Sequence, residues 1–395
     1  MSTLIRGNRD LIKEMNRSLL LNIIRREGQL SRKQLTEISG LSVGAVSGIV
    51  AELLTNQWIV EIGEGDFTGG RRQTIIRLNS RVGYAIGLKL MEDRAVAAIT
   101  DFESKILEYC EKPISSTANP QQIVDELALI IQTTLDDSEI EFNKVFGIGI
   151  GLAGVIRSKE GVVRYSPFFG WRELPLARML EEKLHRPVWI DNDVNTLTLT
   201  ELLFGAGTHH TNFLVITIGR GVGLGVVINN QLYQGINGGA GEIGHTVLYQ
   251  KTPAPRGSGY QTLEDLAADP AVVANMMAYQ PARNLGDVVT LADARDRNAI
   301  QVLAESGERI GVGLANVINI LNPELVIISG EGTLAGDYRL KPMIAAIQRY
   351  VFDGLMDDVQ IIIKPTDDKA WARGAASLVI SKVFESPIVA ASVNS

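Results

Sequence analysis

Apolar residues at 19, 20, 23 and 24 recur with helical spacing in NRSLLLNIIRRE (16–27), and Gly28 ends the run. Ser31 opens SRKQLTEIS with Gln34 three residues on, the reciprocal capping pattern of a helix start. Gly40-Leu41 makes a tight turn, and Ser42 caps a third predicted helix, SVGAVSGIVAELLTN. Its expected apolar face is Val43, Val46, Ile49, Val50, Leu53 and Leu54; the opposite face, Gly44, Ala45, Ser47 and Gly48, is small and uncharged. Trp58-Ile59-Val60-Glu61 and Thr74-Ile75-Ile76-Arg77-Leu78 read as the strands of a hairpin whose flexible tip ends in Arg71-Arg72.

From residue 81 the pattern changes to strands alternating with helices. Tyr84–Leu90, Ala95–Thr100 and Ile106–Pro113 predict a β-meander, followed by an amphipathic helix over 120–135 and a buried strand, VFGIGIGL, over 145–152. A helix over 175–184, a strand over 187–190 and a helix over 197–204 come next. A second meander of the same design starts at Phe213, with a long helix over 304–321, strands over 324–329 and 359–364, and a closing helix over 370–384. Two such halves point to an internal duplication and two α/β lobes with a cleft between them. The expected division is a head over 1–80, a small lobe over 81–195 joined by the closing helix, and a large lobe over 196–369. Gly154, Asp191-Asn192-Asp193 and Glu242 to His245 fall at strand ends facing the cleft.

Charge separates the head from the body. Residues 1–80 carry 11 Lys and Arg against 8 Asp and Glu, while the remainder carries 27 against 37. Only the head is suited to a polyanion. Helix, turn, helix and basic hairpin together form a winged helix-turn-helix. A third helix with a small outer face can sink into the major groove of a double-stranded operator. The Ser42 and Ser47 hydroxyls would reach phosphates or base edges beside Gly44 and Ala45. Arg71 and Arg72 suit the minor groove or the backbone, and Arg25, Arg26, Arg32 and Lys33 are expected as phosphate contacts or solvated charges. With one cysteine, Cys110, the chain has no internal disulfide and no zinc site built on several thiolates. No apolar run is long enough to span a bilayer and no signal-peptide core opens the chain, so a soluble cytoplasmic protein is the expectation.

The ordered set GIGIGLAGVI (147–156), SPFFGW (166–171), PVWIDNDVNTLTLTE (187–201), ITIGRGVGLGVVINNQLYQGINGGAGEIGH (216–245) and LNPELVIISGEG (321–332) resembles the transcriptional regulators of the ROK family. The resemblance covers nearly the whole chain and implies a winged helix followed by a two-lobed actin/hexokinase-like, ribonuclease H-like fold. It also implies site roles. Asp193 matches the general base of family kinases, Asn192 a sugar contact, Glu242 and His245 the family's E-x-G-H pair, and Glu264 a further sugar-facing carboxylate. Gly154 and Phe168 complete the expected ligand set, Phe168 standing where family members commonly place a sugar-contacting asparagine. An aromatic ring can stack on a sugar face.

The remaining departures bear on chemistry. The stretch matching the first phosphate loop, Asp-x-Gly-Gly-Thr in family kinases, is Lys89-Leu90-Met91-Glu92-Asp93. Its two carboxylates would repel a triphosphate, at a cost on the order of 4 kcal/mol for a like-charge pair about 4 Å apart. Arg220 replaces the threonine of the second phosphate loop and is expected to pair with Glu92 or Asp93 across the cleft. The zinc motif implied by the family retains His245, but its cysteine positions hold Pro255, Gly257 and Thr262, so no metal or other cofactor is expected. These features favour a homodimeric or dimer-of-dimers repressor responding to a small-molecule sugar, with no phosphotransfer and no membrane partner. The rival is an active sugar kinase bearing an N-terminal DNA-binding module.

Overall fold

The computed structural model describes residues 9–64, 74–115, 119–250 and 260–385. Helix α1 (Arg9–Glu27) starts seven residues earlier than the apolar stripe indicates. Strand β1 (Gln29–Ser31) leads into α2 (Arg32–Ser39), where the Ser31–Gln34 capping box forms in both directions and Gly40 closes the helix in the left-handed region at φ 67°. Ser42 caps α3 (Val43–Thr55) by accepting from the Ala45 N–H. Strands β2 (Ile59–Glu64) and β3 (Thr74–Leu78) form the hairpin, and β1 adds to β3 to make a three-stranded sheet. The expected tip residues Arg71 and Arg72 lie outside the described residues.

One expectation for α3 fails. Val46, Ile49, Val50 and Leu53 are buried, but Val43 is 70% exposed. It sits on the first turn, past the reach of the helices packed against α3's middle, so apolar spacing there has nothing to pack on.

The small lobe is a five-stranded sheet in the order β11-β7-β4-β5-β6. Its strands are β4 (Tyr84–Leu90), β5 (Arg94–Thr100), β6 (Ile106–Pro113), β7 (Val145–Leu152) and β11 (Val188–Asn192). Helix α4 (Pro120–Asp136) crosses between β6 and β7. The segment carrying SPFFGW adds a small sheet of β8 (Val155–Arg157), β9 (Val162–Tyr165) and β10 (Arg172–Leu174), then α5 (Leu176–Leu184). Helix α6 (Asp193–Phe204) begins directly on β11, four residues before the expected start.

The large lobe repeats the design. Strands β12 (Phe213–Ile218), β13 (Val222–Ile228) and β14 (Gln231–Leu232) form an antiparallel meander. A short hairpin, β15 (Val247–Gln250) and β16 (Tyr260–Thr262), precedes α7 (Leu263–Ala267), α8 (Asp269–Met276), α9 (Leu285–Asp293) and the long α10 (Arg297–Leu321). Strand β17 (Leu325–Ser329), α11 (Asp337–Tyr350) and β18 (Gln360–Ile363) complete the lobe. Its sheet order, β14-β13-β12-β17-β18, matches the first sheet strand for strand, with β17 parallel to β12 as β7 is to β4. The duplication read from the meanders is therefore present in the topology. The closing helix α12 (Asp368–Phe384) packs on the small-lobe sheet and on α6.

Each lobe sheet has its own apolar core. The head does not. Its buried Leu20, Leu21, Ile24, Val50 and Ile59 share one cluster with Ala85 and Phe102 of the small lobe and with Ala376, Val379, Ile380 and Phe384 of α12. Trp58 meets Phe102 and Phe146 edge-on, at centroid distances of 6.0 and 5.8 Å. The winged helix is thus built onto the small lobe through a continuous core. Among the described residues no helix is long and apolar enough to cross a membrane.

Candidate functional site

Two surfaces carry the candidate chemistry. The first is the outer face of α3, where Ser42, Gly44, Ser47 and Gly48 are exposed and Ala45 half-exposed. No side chain in this patch is charged. Arg32 and Lys33, expected at phosphates, stand at the start of α2 in loose pairs, Arg32 with Glu61 at 3.1 Å and Lys33 with Glu37 at 3.8 Å. Both remain accessible, and exposed pairs of this kind are weak enough to exchange for a phosphate. Arg25 departs from expectation. Its guanidinium is buried between the rings of Phe204 and Phe384, at 5.8 and 5.6 Å, and donates to the Leu203 carbonyl. Burial lowers its pKa to about 10. It faces the body rather than a phosphate.

The second surface is the interlobe cleft. β11 delivers Asp191, Asn192 and Asp193 to its floor because the strand runs without a loop into α6. Asn192 is the N-cap: its side-chain oxygen accepts from the Val194 N–H at 2.9 Å, and its amide donates to the Gly154 carbonyl at 3.0 Å. Asp193 is the first helical residue, and its carboxylate forms an ion pair with the Lys89 ammonium. That ammonium also lies 4.8 Å from the Trp371 ring centroid, and the Trp371 indole donates to Glu331 at 2.8 Å. Lys89 is the lone cation in the buried strand YAIGLKL, and its pairing with Asp193 was not among the expectations.

The large lobe supplies the opposite wall. Glu242 and His245 approach to 3.8 Å at the end of the glycine-rich turn, both well exposed. Burial of its inner side, with the nearby Glu264 and Asp193 charges, raises the Glu242 pKa despite His245. Glu264, in the first turn of α7, accepts from the Val222 N–H at 3.1 Å and so ties that helix to the glycine loop. Phe168 lies at the cleft mouth under Arg220, at 5.1 Å from guanidinium to ring centroid. Arg220 also pairs with Glu92, as its position in the second phosphate loop led us to expect. Both stretches matching phosphate loops are thus occupied by each other's side chains. Of the three positions matching cysteines, Pro255 and Gly257 lie outside the described residues and Thr262 caps α7. No cluster of metal-ligating side chains occurs among the described residues.

One residue was not singled out by the motifs, and it holds Asp191. Gln234, just past β14, reaches across to donate to Asp191 and to Ser158, the latter at 3.2 Å, and ties the large lobe to the small one. Asp191 is fully buried and also accepts from the Asn192 N–H at 2.7 Å and the Asn195 amide at 3.0 Å. Burial outweighs these donors and pushes its carboxyl up to about 6 from an ordinary value of 3.8. The folded state therefore binds this proton more tightly than the unfolded chain. Its contribution favours the fold at pH below the ordinary value and is lost as pH rises through about 6, a difference of about 3 kcal/mol. Urea denaturation at pH 5 and pH 7 is expected to show a smaller loss of stability on raising the pH in Asp191→Asn than in the unaltered protein. Equal losses in the two proteins would show that Asp191 titrates normally.

Comparison with known proteins agrees with this architecture. The ROK family pattern matches residues 85–382. The chain is 29% identical to the xylose repressor of Bacillus subtilis over 379 residues, covering 96% of this chain and 98% of that one. It is 27% identical to the DNA-binding transcriptional dual regulator NagC of Escherichia coli, covering 94% of each. Among solved structures, a ROK family transcriptional regulator, homolog of the E. coli MLC protein, superposes with a TM-score of 0.82 at 23% identity, covering 98% of this chain and all of that one. The ROK family glucokinase of Streptomyces griseus, solved with glucose and AMPPNP, gives a TM-score of 0.64 at 26% identity over 75% of this chain and 99% of its own. The kinase likeness leaves a quarter of this chain uncovered, whereas the regulator likeness takes in almost all of it. With two duplicated lobes, a cleft edged by Asn192, Asp193, Glu242 and His245, and a family pattern spanning both lobes, this chain belongs to the ROK family.

Proposed function

We propose that the protein is a sugar-responsive transcriptional repressor that binds a carbohydrate in the interlobe cleft and transfers no phosphoryl group to it. The observation that carries this reading is the Lys89–Asp193 ion pair. A general base must be free to take a proton from the sugar hydroxyl. Here its carboxylate is engaged by a cation from the strand that would otherwise lead into the first phosphate loop. Arg220 and Glu92 fill the space across from it, and catalysis of phosphoryl transfer needs the phosphates positioned and neutralised. The carbohydrate-facing groups remain: Glu242, His245 and Glu264 offer acceptors and a switchable donor, Gly154 and Asn192 line the opposite edge, and Phe168 offers a stacking face. Relatives named for xylose and N-acetylglucosamine make a neutral monosaccharide the first class to try.

The head would read an operator as a homodimer, with the α3 face of each copy in a major-groove half-site. Sugar binding must favour one relative placement of the heads over another, since a ligand equally compatible with both shifts nothing. Gel-shift selection from a randomised duplex library, repeated with added monosaccharides, tests the reading. A selected sequence whose affinity falls in one sugar supports it. Steady ADP release from ATP in the presence of any sugar of the panel would sink it in favour of a kinase.

Placing a carboxylate on the α3 face gives a sharper check. Ala45→Glu puts a negative charge beside the groove without touching the core. Operator affinity is expected to fall by about a hundredfold or more, through like-charge repulsion and lost groove fit, while the melting temperature stays within a degree or two. Undiminished operator affinity would remove α3 as the reading helix.

A further inference from the structure

Helix α6 runs from the cleft to the first helix of the head. At its start, Asn192 and Asp193 form the floor of the cleft. At its end, about 18 Å away by helix rise, the Leu203 carbonyl and the Phe204 ring receive the Arg25 guanidinium from α1 of the head. Nearly every residue between is buried, including Asn195, Thr196, Thr198, Thr200 and Glu201, and the Thr200 hydroxyl bonds Ser377 of α12 at 2.9 Å. A helix packed on all sides has no soft element within it. Displacement at one end is carried to the other.

The head-side joint is specific. The last carbonyls of a helix lack intrahelical donors, and a cation there also complements the helix dipole. Arg25 supplies both, and it reaches across from a different unit of the fold. Around it, Ser18 and Asn22 of α1 donate to the Phe384 carbonyl at the end of α12, at 3.1 and 2.8 Å. The guanidinium stacks between Phe204 and Phe384, so it senses the end of α6 relative to the end of α12.

We infer that α6 is the strut that reports occupancy of the cleft to the DNA-binding head, with Arg25 as the positioning residue that couples its far end to α1. A sugar that engages Asn192 or displaces Lys89 from Asp193 alters the first turn of α6. The shift of Leu203 and Phe204 then re-aims α1, and α3 with it. This gives the repressor reading a route for regulation and depends on that reading for its purpose; the mechanical link is tested without DNA or sugar.

Hydrogen exchange on the full chain provides the test. Asn192→Ala removes the cap at the cleft end, and the double variant Lys89→Met/Asp193→Leu, which removes the ion pair without stranding a buried charge, serves if the first variant fails to fold. The amides of residues 18–27 in α1 are expected to exchange about tenfold faster in the cleft variant, the scale of one lost hydrogen bond to a charged group. Arg25→Gln is expected to loosen the same amides by itself and to add nothing further when combined with the cleft variant. Arg25→Lys, which keeps the charge and one donor, is expected to restore part of the protection. Faster exchange confined to the first turns of α6, with residues 18–27 at the unaltered rate, overturns the strut. So does full additivity of the two substitutions. A protein that selects no operator would overturn the repressor reading and leave the exchange result to be judged separately.

Discussion

Replacing Asp193 with alanine is expected to destabilise the protein by about 3–5 kcal/mol, the usual cost of removing one partner from a buried ion pair. The Lys89 and Asp193 side chains are only 10% and 14% exposed, so water cannot take over as a partner for the stranded ammonium. The indole face of Trp371 offers that charge partial compensation. The double variant Lys89→Met/Asp193→Leu removes both charges and is expected to recover most of the stability, because well-packed apolar residues often replace such pairs without loss. Both variants are expected to lose any thermal shift on adding sugar. Urea denaturation with a sugar panel reads both effects. Asp193→Ala as stable as the unaltered protein would mean that the pair on which the non-kinase reading rests does not form in solution.

Gly149→Val is the second large effect. Gly149 lies on β7 under α12, and a Cβ built on it would stand 1.9 Å from the Ala375 carbonyl oxygen; at Gly87 on β4 the corresponding approach is 2.0 Å to Ala372. These are backbone contacts that no rotamer change relieves. The helix that holds the small-lobe sheet against α6 must move outward, and head residues sharing the core with Ala376, Val379 and Phe384 must move with it. A loss above about 4 kcal/mol is expected, seen as insoluble or unfolded protein. Gly48→Ala is the internal control, since a Cβ added there, on the exposed face of α3, meets nothing within 4 Å. It is expected to be neutral or to stabilise by up to about 1 kcal/mol through helix propensity. A folded, soluble Gly149→Val protein would show that α12 is not seated as described.

These two substitutions also show what motif matching could and could not reach. Gly149 belongs to GIGIGL, and its alternation with isoleucine was legible as a buried strand, but the reason for glycine there is a helix more than two hundred residues further on. Lys89 was legible as a departure from a phosphate loop. Its partner was not, because Asp193 is 104 residues away and only the parallel pairing of β4, β7 and β11 brings the two together. Arg220 is the exception. Two matched loops of opposite charge, known to face one cleft, were enough to anticipate its pairing with Glu92.

The sequence by itself determined the local structure and the kind of site. Caps at Ser31 and Ser42, the left-handed turn at Gly40, the two meanders and the ordered cleft motifs depend on residues within a few positions of one another, where spacing alone decides which groups meet. Only the tertiary structure decided that Val43 is exposed, that Arg25 serves the body instead of a phosphate, that Asp193 is held by Lys89, and that one helix joins the cleft to the head. Each of those outcomes turns on burial and charge pairing between segments far apart in the chain. A side chain's solvent and its counter-charge are set by whatever crosses over it, and no local pattern records that.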